Sequence, residues 1–203
     1  MKKILIACFM ILGLLMVTPS VQAVTYNFTS DHCTGGCGTA PFGTVTLLQA
    51  GANVDVTVHL NPPNQFVKTG ALDSQAFVFN GTGVSLGDIT IDAHVPGLQA
   101  SVGPFGTVAL GSFGFGINAP TQGPGASDPF STNIVFHVSQ ASIADLTAPN
   151  SQGNIFAADI IGSTGNTGAV DVSGGPVPEP SVLLLLGAGL IGLGGVARRI
   201  RKS

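Results

Sequence analysis

Three hydrophobic patterns follow one another along the chain. An apolar run, Ile4 to Val17, stands behind Lys2 and Lys3. A long middle region alternates apolar and polar positions in short bursts. A second uncharged apolar run, Ser181 to Ala197, precedes a basic cluster of Arg198, Arg199, Arg201 and Lys202. The alternation is clearest from Val54 to Leu60. Val54, Val56, Val58 and Leu60 share one face; Asn53, Asp55, Thr57 and His59 share the other. Successive side chains of an extended chain point to opposite sides, so a period of two predicts a half-buried strand. Asn61-Pro62-Pro63-Asn64 ends it, because proline cannot donate to a sheet ladder.

The same pattern predicts strands at Asp88–Val95, with Ile89, Ile91, Ala93 and Val95 inward, and at Asn133–Val138. Shorter candidates are Val24–Phe28, Thr44–Leu48, Ala76–Phe79, Thr107–Leu110, Ile155–Ile160 and Ala169–Val172. Gly, Pro and Asn punctuate them. No stretch between the two apolar runs holds a helical period for three turns; Ser142 to Leu146 suggests one short turn. Many short strands without intervening helices predict an all-β fold, an antiparallel β-sandwich or jelly-roll-like ectodomain. Ala119 to Gly125 reads as a surface loop.

Positive charge, a short apolar core and Val21-Gln22-Ala23 at its end make residues 1–23 a secretory signal peptide, with Val24 as the mature start. The domain plan is then 1–23 signal peptide, 24–172 ectodomain, 173–180 linker, and 181–203 transmembrane helix and basic tail. The 17-residue run Ser181–Ala197 would span roughly 25 Å as a helix, the short end of what crosses a bilayer core. The terminal basic cluster would stay cytoplasmic.

Composition narrows the functions. Between Val24 and Pro180 the one basic residue is Lys68, against nine Asp and Glu179. Nucleic acid is therefore not an expected partner, because phosphate binding needs Lys and Arg. Cys33 and Cys37, in Cys33-Thr-Gly-Gly-Cys37, favour a disulfide in an oxidising compartment. Half of a metal site is the rival reading, without a second Cys or His pair to complete it. No cofactor and no metal site is expected.

Several motifs tempt. Gly83-Val84-Ser85-Leu86-Gly87 matches the pattern of a hydrolase nucleophile elbow, yet alternation rather than a helix follows it. Gly187-Ala188-Gly189-Leu190-Ile191-Gly192 matches a dinucleotide fingerprint, but too little chain follows for a βαβ unit. Its glycines suit a membrane helix that packs closely against another. His59 shares a strand face with Asp55, and His94 shares one with Asp88 and Asp92; a solvated sheet face is the plain reading of both. Sugar platforms commonly use exposed Trp or Tyr. This chain has no Trp and one Tyr, Tyr26. Asn27-Phe28-Thr29 and Asn80-Gly81-Thr82 fit the glycosylation pattern. No catalytic residue is assigned, and the chain is read as a non-enzyme.

The linker carries the most specific signal. Val177-Pro178-Glu179-Pro180, the apolar run and the terminal arginines, in that order behind a signal peptide, resemble the PEP-CTERM sorting tail of exported Gram-negative bacterial proteins. The resemblance covers about residues 176–203. It implies recognition of the Pro-Glu-Pro triplet by an exosortase, a membrane transpeptidase, with the inner membrane as the first location. The cell surface or extracellular matrix would follow, with exopolysaccharide as a partner. A permanently anchored carbohydrate-binding or adhesin module is the alternative.

Overall fold

A computed structural model describes residues 22–92 and 97–177. The described chain is all-β and antiparallel, with one short α-helix. Its first sheet collects the strongest alternating segments: β1 (Ala23–Phe28), β3 (Gly43–Ala50), β4 (Asn53–Leu60), β7 (Ile89–Ile91) and β11 (Ile134–Val138), in the order β1-β3-β4-β11-β7. Gly51 closes the β3–β4 hairpin at φ +65°, a left-handed conformation open to glycine. Val54, Val56, Val58 and Leu60 are buried and Asp55 is exposed, as their spacing requires.

The second sheet holds β5 (Gln65–Lys68), β6 (Phe77–Phe79), β8 (Gln99–Phe105), β9 (Phe113–Asn118), β10 (Gly125–Phe130) and β12 (Phe156–Ile161), in the order β10-β5-β12-β6-β9-β8. β13 (Thr167–Val172) pairs with β12, and β2 (Ser30–Asp31) pairs with β13. β5 and β6 both pair with β12, at Ile160–Ile161 and at Phe156–Ala158 respectively. They are two pieces of one strand line, interrupted where residues 69–76 loop outward.

The two sheets face each other across aromatic rings. Phe136 of β11 lies 5.1 Å from Phe79 and 6.2 Å from Phe77 of β6. Phe77 also stacks on Phe156, which meets Tyr26 edge-on. Each such burial removes enough apolar surface to contribute about 2–3 kcal/mol. A second, smaller apolar cluster covers the outer side of the larger sheet. There Leu72 and Leu110 pack on Val78, Phe113, Ala157 and Ala169.

Some expectations change. Thr107–Leu110 is a turn, not a strand: Gly111 N–H bonds Thr107 O, and Leu110 plugs the outer cluster. The strand expected over Asp88–Val95 is described only from Ile89 to Ile91; residues 93–96 lie outside the described residues. Asp88 instead closes a 3-10 turn, Leu86–Asp88. The short helical turn is present as α1 (Ile143–Leu146), capped reciprocally by Ser142 and Asp145. No described helix is long and apolar enough to cross a membrane. The expected spanning run, the basic cluster and residues 1–21 lie outside the described residues.

Candidate functional site

The linker leaves β13 at Val172 and reaches the first strand of the fold. Val177 N–H donates to Thr25 O at 2.7 Å, forming an antiparallel bridge on the side of β1 away from β3. Pro176 and Pro178 flank Val177 and have no N–H, so Val177 supplies the one backbone donor of that triplet. The prolines also bias the preceding residues toward extended backbone. Val177 remains 40% exposed. Of the expected sorting residues, Val177 is thus placed on the surface. Pro178, Glu179 and Pro180 lie outside the described residues, as do Arg198, Arg199, Arg201 and Lys202.

A family model described as the PEP-CTERM protein-sorting motif matches residues 176–202. The chain carries a PEP-CTERM sorting motif. The motif implies export, membrane association and exosortase-related processing in Gram-negative bacteria. Its match begins one residue before the Thr25–Val177 bridge. No curated protein and no solved structure matches the chain.

Away from the PEP-CTERM motif, the described residues form three polar constellations. The first is the disulfide loop. Cys33 and Cys37 are joined, with Cα atoms 5.4 Å apart, inside the usual disulfide range. Asp31 accepts from the N–H groups of both cysteines, each at 3.3 Å. The loop is docked on the β12–β13 turn. Thr164 Oγ1 and Asn166 Nδ2 donate to Gly36 O at 2.7 and 3.0 Å. A Cβ built on Gly162 would lie 2.0 Å from Cys37 O, so only glycine permits this approach. Among the described residues, Asp31, Cys33 and Cys37 form one group with donor atoms within 4.8 Å of one another. Both sulfurs are committed to each other, which removes two of the three donors.

The second constellation is the outer face of the five-stranded sheet. Asp55 of β4 lies opposite His137 of β11, which lies opposite Thr90 of β7. Asp55, His137, Asp92, Ile91, Val135 and Phe136 line an open groove of about 500 Å³. His59 sits on the same face and bonds Asn133 through Nδ1 at 2.9 Å. The structure therefore places His137 between β4, which carries Asp55, and β7, with Asp92 just past its end. Asp88 is elsewhere, bound by Ser85 N–H and Ser85 Oγ at 2.8 and 2.7 Å, which hold its carboxyl below the usual range. His94 lies outside the described residues. Ser85 donates to Asp88 rather than to an imidazole, and a strand follows its turn.

The third constellation is buried and polar, and sequence reasoning missed it. Asp159 and Asp171 lie on the outer side of the larger sheet with almost no exposure. Asp159 accepts from Thr69 N–H and Thr69 Oγ1. Burial nevertheless pushes its carboxyl up to about 6, against the opposing pull of the Thr69 hydrogen bonds. Asp171 pairs with His32 Nε2 at 2.6 Å. Both aspartates sit at outward positions of runs that read as ordinary strands. Their one sequence signal is a carboxylate inside an apolar strand, Phe156-Ala-Ala-Asp159-Ile-Ile161 and Ala169-Val-Asp171-Val172.

Proposed function

We propose that the chain is a non-enzymatic exported protein whose folded all-β domain is delivered by its PEP-CTERM motif. In this reading residues 1–23 direct export, and the run from Ser181 holds the precursor in the inner membrane of a Gram-negative bacterium. An exosortase-type transpeptidase then acts at Pro178-Glu179-Pro180. The mature protein works at the cell surface or in the extracellular matrix, in contact with exopolysaccharide. The observation that carries the reading is the motif match at residues 176–202. The surface position of Val177 agrees with it, since a processing enzyme needs an accessible, extended substrate.

Replacing Pro178, Glu179 and Pro180 with alanine tests it. Fractionation and mass spectrometry should show the C-terminal segment lost from the unaltered protein and kept by the variant. Equal loss from both would remove the triplet as the recognition element.

The groove beside Asp55 and His137 supports a second reading, a surface carbohydrate-binding or adhesin module. Its lining mixes Asp55, Asp92 and His137 with Ile91, Val135 and Phe136, and the phenylalanines are mostly core, so recognition would run through those polar groups rather than ring stacking. Binding across a glycan array, abolished by Asp55→Ala with His137→Ala, would favour it.

A further inference from the structure

The chain enters the described fold at Gln22 and leaves it after Val177, and the two points meet on one strand. Gln22 O accepts from Gln49 N–H at 2.8 Å, and β1 then pairs with β3 from Ala23↔Leu48 to Phe28↔Gly43. The other edge of β1 carries the Thr25–Val177 bridge. In an antiparallel bridge the two partners run in opposite directions, so the described chain arrives at Val177 heading toward the end of β1 at which Gln22 enters. Entry and exit therefore lie at the same end of β1.

That end defines a pole of the domain. It holds the Gly51-Ala52 turn between Ala50 and Asn53, and the segment at Ala141, whose N–H bonds Ala52 O at 3.0 Å. The opposite pole holds the Cys33–Cys37 loop docked on the β12–β13 turn, and Ser131, just before Ile134 pairs with Val58. An exposed sheet edge is a template for another extended segment. Here the C-terminal linker takes that place, through one hydrogen bond, because prolines flank Val177.

We propose that the free edge of β1 is the docking strand of the sorting linker, and that this docking turns the Gly51 pole toward the membrane and the disulfide pole away. The proposal rests on the sorting reading, which puts the C-terminal segment in the bilayer and, until the signal peptide is removed, the N-terminal one as well. The facing surface is a lipid headgroup layer, met without electrostatic attraction. Lys68, in β5, is the only Lys or Arg between Val24 and Ala197. Polybasic surfaces bind anionic lipid; this pole is held near it by the tethers alone. Once the signal peptide is gone, cutting the C-terminal tether therefore releases the domain rather than leaving it adsorbed.

Two measurements on the full-length, membrane-inserted precursor test this. Cross-strand Cα atoms in an antiparallel pair lie about 4.5–5.5 Å apart, within disulfide reach. Thr25→Cys with Val177→Cys should cross-link within one molecule under mild oxidation in most of the population, read by peptide mass spectrometry. Ser131→Cys with Val177→Cys should not. Cross-linking absent from the first pair, or equal in both, overturns the docking. A fluorophore on Ala52→Cys should be quenched several-fold more than one on Ser131→Cys by headgroup spin-labelled lipid. Equal or reversed quenching overturns the orientation. Normal processing without the cross-link sinks the docking alone. A formed cross-link with processing indifferent to the Pro-Glu-Pro triplet sinks the sorting reading alone.

Discussion

The carboxylate of Asp159 receives Thr69 Oγ1 at 2.7 Å, across 90 positions of sequence. This contact fills the gap between β5 and β6, where residues 69–76 leave the sheet. Asp159 N–H bonds Ala76 O at 3.0 Å, closing the loop from the other end. The acid is buried because Leu72, in the same loop, folds back over Val78, Ala157 and Ala169.

A pH dependence follows. The folded protein holds the Asp159 proton up to about 6, whereas the ordinary value is 3.8. The folded state thus binds more protons than the unfolded chain between those values, and stability falls as pH rises. The contribution is fully present below about 3.8 and is lost as pH passes about 6. The size is about 3 kcal/mol at most, from 1.36 kcal/mol per pH unit. Asp159→Asn keeps an acceptor for Thr69 and removes the proton. Urea melts from pH 4 to 7.5 should decline for the native protein and stay nearly flat for the variant.

Gly162→Ala should dislodge the disulfide loop. The added Cβ would meet Cys37 backbone atoms, which cannot swing aside as a side chain can. Overpacking of this kind costs about 1–3 kcal/mol. Thermal melts should show the loss. In the variant with Cys33→Ala and Cys37→Ala, where the loop is free to move, the same glycine change should cost less.

Phe136→Ala should be among the most damaging core changes. Its ring is buried between the sheets against both Phe77 and Phe79. Emptying that volume costs about 3–5 kcal/mol. Phe130→Ala, which removes a half-buried ring stacked on Phe66, should cost clearly less in the same denaturant titration.

Ser85→Ala should release Asp88. With both Ser85 hydrogen bonds to the carboxylate in place, Asp88 titrates below its usual range; without the hydroxyl it should move back up. NMR titration reads that shift. Hydrolysis of ester substrates should be no different between the two proteins, because Ser85 is committed to a turn.

Several strands were legible because their burial is one-sided. β3, β4 and β11 show the period of two plainly, since one face meets the core and the other meets solvent. β8, β9 and β10 were not legible. β9 carries Gly114 and Gly116 at alternate positions, and a Cβ on Gly116 would meet the Gln75 side chain at 2.6 Å. Pro104 and Pro129 interrupt the pattern of β8 and β10. Thr107–Leu110 misled in the opposite direction, because a buried valley on the outer side of a sheet also attracts apolar residues.

The sequence alone determined what depends on local covalent pattern: the all-β character, the Cys33–Cys37 pair and the linear sorting motif. A linear motif is a contiguous run of residue types, so it can be read without knowing the fold. The tertiary structure decided what depends on residues far apart in sequence. It set His137 beside Asp55, buried Asp159 against Thr69, docked the Cys loop on Gly162, and brought Val177 to Thr25. Those relations follow from strand order, and alternation specifies which face a residue takes but not which strand lies next to it.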